Sequence, residues 1–184
     1  MISNKDAQAA KALPVLLDIF TPPGATILSK VGLFTGQMPD LRATPSITQP
    51  YAITPAQLFA DLGILQAQFL GCINFTSAAN RKPTCTLGKN LDGTYNRKLN
   101  INFSNITSDL IGTVAGTPTF FVAMKTSAAG TDASSWAAMV SGTNLLDVII
   151  GSVGDEDSNA DLKLVGGKIV VGQGYRFTDF NIQF

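Results

Sequence analysis

The chain has no histidine, only two cysteines and very little charge. Each shortage removes a class of chemistry. Without histidine there is no imidazole to serve as general base, to bind a metal or to activate a serine or cysteine nucleophile. Cys72 and Cys85 match no zinc spacing, and two thiols without histidine do not complete a tetrahedral zinc site within one subunit. They read as free thiols, with a disulfide as the alternative. Long apolar runs are also missing. The longest, Leu145 to Val153, is broken by Asp147, Gly151 and Ser152, short of the roughly 18 residues of a membrane helix. The opening Met1-Ile2-Ser3-Asn4-Lys5-Asp6 has no basic stretch leading into an apolar one, which argues against a secretory signal.

Charged residues make up 14% of the chain, against about 25% in an average soluble domain. The 13 basic and 13 acidic side chains cancel. A surface this poor in charge is hard to keep monomeric, so part of it is expected to be covered by other subunits. Zero net charge supplies no long-range field for nucleic acid. Arg81-Lys82 and Arg97-Lys98 read as solvated loops rather than phosphate clamps. What is abundant is apolar: 45% of 184 residues, spread along the chain, enough for one core with a short appendage.

Residues 3 to 20 carry a helical pattern, with Ser3 as cap, Asp6 in the first turn and Ala9, Ala10, Leu13, Leu16 and Leu17 at helical spacing. Pro14 kinks or ends it, and Thr21-Pro22-Pro23-Gly24 is a break. Residues 1–23 are therefore expected to be a helical arm, and 24–184 a β-domain. Leu13, Leu16, Leu17 and Phe20 are its candidate interface residues; folding back onto the domain is the alternative.

From Ala25 the texture is β. Strands are expected over Ile27 to Phe34, Thr84 to Leu91, Leu99 to Phe103, Thr117 to Lys125 and Leu145 to Val153. Prolines 39, 45, 50 and 55 suit an extended loop. Thr54-Pro55-Ala56-Gln57 predicts a short helix to Asp61, ended by Gly63. Residues 64 to 76 fit either strand or buried helix. Asp161 to Val165 and Lys168 to Val171 are expected to form a hairpin through Gly166-Gly167, followed by a strand from Tyr175 to Phe184 with a bulge near Thr178-Asp179. About eight short strands without βαβ alternation predict a mainly β fold: an antiparallel β-sandwich or jelly roll with a short N-terminal helix.

Asp155, Asp157, Asn159 and Asp161 alternate like the first ligands of a calcium loop. Ala160 and Gly166 then stand where glycine and glutamate are required. The expectation is a solvated hairpin tip without metal, with weak cation binding as the alternative. Gly172-x-Gly174 lacks the strand-to-helix setting of a phosphate loop. Asn74, Asn102 and Asn105 begin N-x-S/T triplets, common by chance in such a composition. Trp136, the single tryptophan, reads as core packing or as an interface anchor. No catalytic set and no cofactor are expected.

The C-terminal third resembles a pattern in β-rich structural proteins of tailed bacteriophages and prophages. Its elements here are Gly116-Thr117 with Phe120-Phe121, Ile150-Gly151-Ser152-Val153-Gly154, Asp161-Leu162-Lys163-Leu164, Ile169, Gly172 and Phe180-Asn181-Ile182. Near the front, Val31 to Pro39 is similar to the aromatic-Thr-Gly-x-x-Pro start of the same proteins. The likeness spans residues 25–40 and 110–184, and 41–109 departs from it. It implies a virion part assembled in the host bacterial cytoplasm, a head decoration or cement protein first and a tail- or fibre-associated adhesin second. The implied partners are the major capsid protein, other virion proteins and copies of itself, with neither nucleic acid nor membrane. The pattern supplies no functional residues to carry over.

Overall fold

The computed structural model describes residues 17, 19–21, 27–40, 53–76, 81–92, 95–106, 110–127, 134–175 and 179–183. The fold is mainly β. Its strands are β1 (Ile27–Phe34), β2 (Phe69–Phe75), β3 (Thr84–Lys89), β4 (Tyr95–Asn102), β5 (Leu110–Ile111), β6 (Phe120–Ser127), β7 (Asn144–Gly154), β8 (Leu162–Lys163), β9 (Gly174–Tyr175) and β10 (Asp179–Gln183). Among the described residues the short helices α1 (Pro55–Asp61) and α2 (Trp136–Met139) lie between them. Among the described residues no helix is long and apolar enough to cross a membrane.

Eight strands form one sheet in the order β2-β1-β6-β7-β8-β10-β4-β3, and β5 pairs with β9 in a separate ribbon. The pairings are antiparallel except that of β7 with β8, which is parallel. The expectation of a purely antiparallel arrangement is thus corrected to a mixed sheet. The sheet curls until strands distant in its order meet. Phe121 of β6 lies 4.7 Å from Phe180 of β10, edge to face, although β7 and β8 separate them in the sheet. Phe75 of β2, at one end of the order, lies 5.5 Å from Phe103, which directly follows β4.

Period-2 alternation sorts the apolar residues into two layers. Val31, Leu33, Ile73, Phe75, Phe121 and Ala123 enter the main core inside the curl, with Leu99, Ile101 and Phe180 from the opposite wall. Phe34, Cys72, Phe120, Val122 and Met124 face the other way, into a second layer covered by Phe59 of α1 and by Ala138 and Met139 of α2. The helices lie close. A Cβ on Gly32 would stand 2.8 Å from the Met139 sulfur. Beside Gly71, the register of β1 and β2 shifts between Leu33 and Phe34. The extra residue there sends Leu70 to the main core and Phe69 to the second layer.

The Thr54 cap holds as the sequence predicts. Its hydroxyl accepts from the Gln57 N–H at 3.2 Å, Pro55 opens α1, and Gly63 follows the helix at φ 68°. Residues 64 to 76 become a 3₁₀ turn (Gln66–Gln68) and then strand β2. Two expectations about the C-terminal third fail. Gly166-Gly167 does turn the chain, with both φ positive, but Ile169 beyond it bridges Gly116 rather than returning along β8. The Tyr175-to-Phe184 strand divides, since Tyr175 pairs with Leu110 and Phe180 with both Ile101 and Leu162. Of the expected bulge, Thr178 lies outside the described residues.

Phe180 touches the rings of Phe20, Phe103 and Phe121, joining both walls of the curl. Phe180→Ala is expected to destabilise the fold by about 3–5 kcal/mol, measured as a lower urea midpoint. An exposed site such as Val165→Ala changes it by less than about 0.5 kcal/mol.

Candidate functional site

Ser135 starts α2, its hydroxyl accepting from the Ala138 N–H at 3.2 Å. This sets the half-buried Trp136 ring edge-on against Phe59 (5.2 Å) and Phe69 (5.6 Å). The other end of α2 is held by Lys30 of β1, a residue that sequence reasoning passed over. Lys30 is fully buried, and its Nζ donates to Ala138 O (2.6 Å), Ser141 O (2.6 Å) and Ser141 Oγ (2.7 Å). All three ammonium protons are thereby engaged. Burial pulls its pKa down from the ordinary lysine value to about 8, partly opposed by nearby Cys72. The role of this lysine is structural: it ties the carbonyls at the end of α2 to the sheet.

The acidic residues do not gather into a cage. Asp155, Asp157 and Asn159 are exposed on the segment between β7 and β8. That segment is not a hairpin tip, because the strands it joins run parallel, with Val153 beside Leu162. Asp161 is committed elsewhere. Its Oδ2 accepts from both the N–H and the hydroxyl of Ser152, each at 2.9 Å, and its own N–H donates to Ser152 Oγ at 3.1 Å. Three bonds close the loop at its neck and allow so short a parallel connection. No group of three or more metal-ligating side chains occurs among the described residues. Asn102 and Asn105 are likewise engaged, with the Ser104 N–H and the Thr84 hydroxyl respectively, and Asn74 is buried.

Of the proposed arm, Leu13 and Leu16 lie outside the described residues. Phe20 is fully buried, packed on Phe75 and Phe180, and Ile19 is buried beside it. Phe20 is therefore a core residue rather than an interface residue, and the boundary at 23/24 does not separate it from the β-domain. Leu17 packs against the same core, half-exposed. With Thr21 it borders a cleft of about 370 Å³ whose other side is Lys82, Thr84 and Cys85. Burial pushes the Cys85 thiol up to about 11, with Lys82 opposing. At neutral pH it is protonated and a poor nucleophile. Cys72 and Cys85 are not joined in a disulfide.

The most exposed apolar feature of the C-terminal third is the β5–β9 ribbon. Leu110 pairs with Tyr175, Ile111 with Gly174, and further along Gly116 bridges Ile169. Between these pairs the backbone closes through Gly112 N–H to Gln173 O (3.1 Å) and Gly172 N–H to Gly112 O (2.8 Å). The Tyr175 hydroxyl accepts from the Val170 N–H at 2.6 Å and donates to Gln173 Oε1, fixing the turn at its tip. Four aliphatic side chains are left open on this ribbon: Ile111 at 41%, Val114 at 46%, Val170 at 53% and Val171 at 60% exposure. Residues 110–117 carry no charge, and 164–175 only Lys168.

No family model matches the chain, and comparison with curated proteins and with solved structures finds no match. What the chain offers a partner is thus read from its own surface. The ribbon is a surface of aliphatic side chains and glycine-rich backbone, suited to burial against another protein. Sequence reasoning missed it because Lys168 to Val171 looked like an ordinary hairpin strand. The signal was Val170-Val171 between two glycine pairs, with no polar alternation.

Three outcomes follow. Asp161→Ala frees the neck of the 155–161 loop and is expected to cost about 1–3 kcal/mol in thermal or urea unfolding. Chelator is expected to leave the melting temperature of the unaltered chain unchanged. The Cys85 thiol is expected to alkylate about 100-fold more slowly at pH 8 than a free thiol, its rate still rising toward pH 11 because the thiolate forms only there. Peptide mass after iodoacetamide treatment at stepped pH reads this directly.

Proposed function

We propose that this chain is a non-enzymatic structural protein of a tailed-phage virion, most closely a capsid decoration or cement protein that binds and stabilises the major capsid shell. The observation that carries the reading is the nearly uncharged aliphatic ribbon on a chain with only 14% charged residues. Such a surface suits a subunit covered by neighbours in an assembly. The resemblance of residues 110–184 to phage structural proteins supplies the particle. In this reading the curled sheet, with its two walls facing across one core, is a variant of the β-sandwich expected from sequence.

The Cys85 thiol beside the cleft also fits a non-catalytic role, since burial holds it protonated rather than activated. Quantitative mass spectrometry of virions tests the assignment. The chain is expected in a simple ratio to the major capsid protein, and particles lacking it are expected to lose DNA at lower temperature. A handful of copies per particle indicates a tail position, and absence from purified particles overturns the proposal.

A further inference from the structure

We propose that Lys30 and Ser141 form a proton-responsive latch on α2, one that keeps the helix seated whether or not Nζ carries its third proton and that is the more stable without it. The inference stands apart from the identity of the particle. Two of the partners around Nζ are of one kind and the third of another. Ala138 O and Ser141 O, each at 2.6 Å, are carbonyls and can only accept. Ser141 Oγ, at 2.7 Å, belongs to a hydroxyl and can accept or donate. In the charged form Nζ donates to all three, and the Ser141 hydroxyl donates to Ala138 O at 2.6 Å. In the neutral form Nζ keeps its two bonds to the carbonyls, and its lone pair faces Ser141 Oγ. The hydroxyl then turns from Ala138 O to Nζ. Ala138 O still accepts from Nζ and from the Ser141 N–H (3.3 Å), so no polar group of the latch is left unpaired. The proton passes to solvent beside Ser141, which is half-buried.

Burial decides which form the fold favours. Lys30 is fully buried under α2, where an ammonium has exchanged water for a few protein oxygens and a neutral amine gives up far less. Among the described residues no carboxylate faces it to hold the proton. α2 and residues 140–143 carry no titratable side chain. From β2 comes Cys72, whose thiol donates to Ser135 O at 3.7 Å. Lys125 of β6 and Asp147 of β7 belong to the opposite face of the sheet, since they alternate with Met124 and Val148 of the second layer. α1 carries only Asp61, which is exposed. With Cys72 alone opposing, burial brings Lys30 from its ordinary 10.5 to about 8. Below about 8 the folded and unfolded chains both hold the proton, and the buried charge weighs on the fold in full. Between about 8 and 10.5 the unfolded chain holds a proton that the folded one has released, so stability rises with pH across that window.

NMR of the full chain with isotope-labelled lysine, its resonances assigned through bonds, follows the Lys30 Nζ directly. It is expected to titrate near pH 8, at least ~10-fold more acidic than the exposed lysines. The emission of Trp136, the single tryptophan, is expected to stay unchanged from about pH 6.5 to about pH 9.5, because α2 remains seated. Ser141→Ala takes an acceptor from the ammonium and is expected to lower the Lys30 midpoint further. Urea unfolding reads the linked stability. From about pH 7.5 to about pH 9.5 the unfolding constant of the unaltered chain is expected to fall at least ~10-fold relative to that of Lys30→Met. The comparison cancels Cys85, whose raised thiol works in the opposite direction in both chains. Should Lys30→Met not fold, the titration and the emission decide alone. A Lys30 that titrates with the exposed lysines, or a ratio of unfolding constants flat in pH, overturns the proposal. So does a Ser141→Ala midpoint that does not move, or a Trp136 emission that shifts in step with the titration, since the helix is then released rather than held.

Discussion

The constraint on which the structure depends is that β1, β2 and β6 are buried on both faces. An antiparallel sheet ordinarily has one face on a core and one in water. Here both sides of these three strands are apolar, so each side needs a cover. The far wall of the same curled sheet covers one, and α1 and α2 cover the other. Lys30 is a consequence. Its position in β1 directs it to the helix-covered face, where no water is available, so its ammonium must find protein acceptors. The end of α2 supplies three. The contact converts a costly buried charge into a clamp on the helix that carries Trp136.

Curling requires a device at the middle of the sheet, where the walls join. That device is the β7–β8 parallel contact, and the Ser152–Asp161 bonds make it possible. A seven-residue segment is too short for an ordinary helical crossover between parallel strands. Closing it at the neck lets the chain double back and set Leu162 beside Val153 in the same direction. From there β8 hands the sheet to β10 through Phe180 and Leu162. The rings of Phe20, Phe103 and Phe121 around Phe180 then fix how far the walls close.

Much of the local structure was legible in the sequence, and most of the long-range structure was not. Strand β1, the Thr54-Pro55 helix start, the Leu99-Ile101 alternation and the glycine turn at 166–167 all rest on chemistry within a few residues. The partner of Ile169 does not. Its bridge to Gly116 spans a distance in sequence that no local signal encodes, so a hairpin was the natural but wrong reading. The same holds for Asp161. Alternating acids look like a calcium loop or a solvated tip, because nothing in the sequence reveals that the Ser152 N–H and hydroxyl will donate to the last carboxylate. Lys30 was invisible for a related reason: in Ile-Leu-Ser-Lys-Val-Gly-Leu-Phe one lysine reads as the solvent side of a strand, and only the presence of α2 above it makes that side an interior.

Scarcity of charge acquires a location once the fold is known. Most of the apolar residues are consumed by a core with two layers, which a single-layer sheet of this length would not need. Among the described residues the exposed large apolar side chains include Met38, Leu65, Leu91, Leu146 and Val165 at separate places on the surface, and four more on one element. Ile111, Val114, Val170 and Val171 lie on a ribbon whose Leu110, Ile169 and Tyr175 pack into the main core and whose Thr113 N–H donates to Leu70 O of β2 at 2.8 Å. A short two-stranded ribbon is marginal on its own in water. This one is braced by the Tyr175 hydroxyl and by Gly112 against Val170, contacts that hold its shape without covering its surface. The ribbon's shape is thus set by backbone closure and by its seat on the main core rather than by burial of its outer side chains.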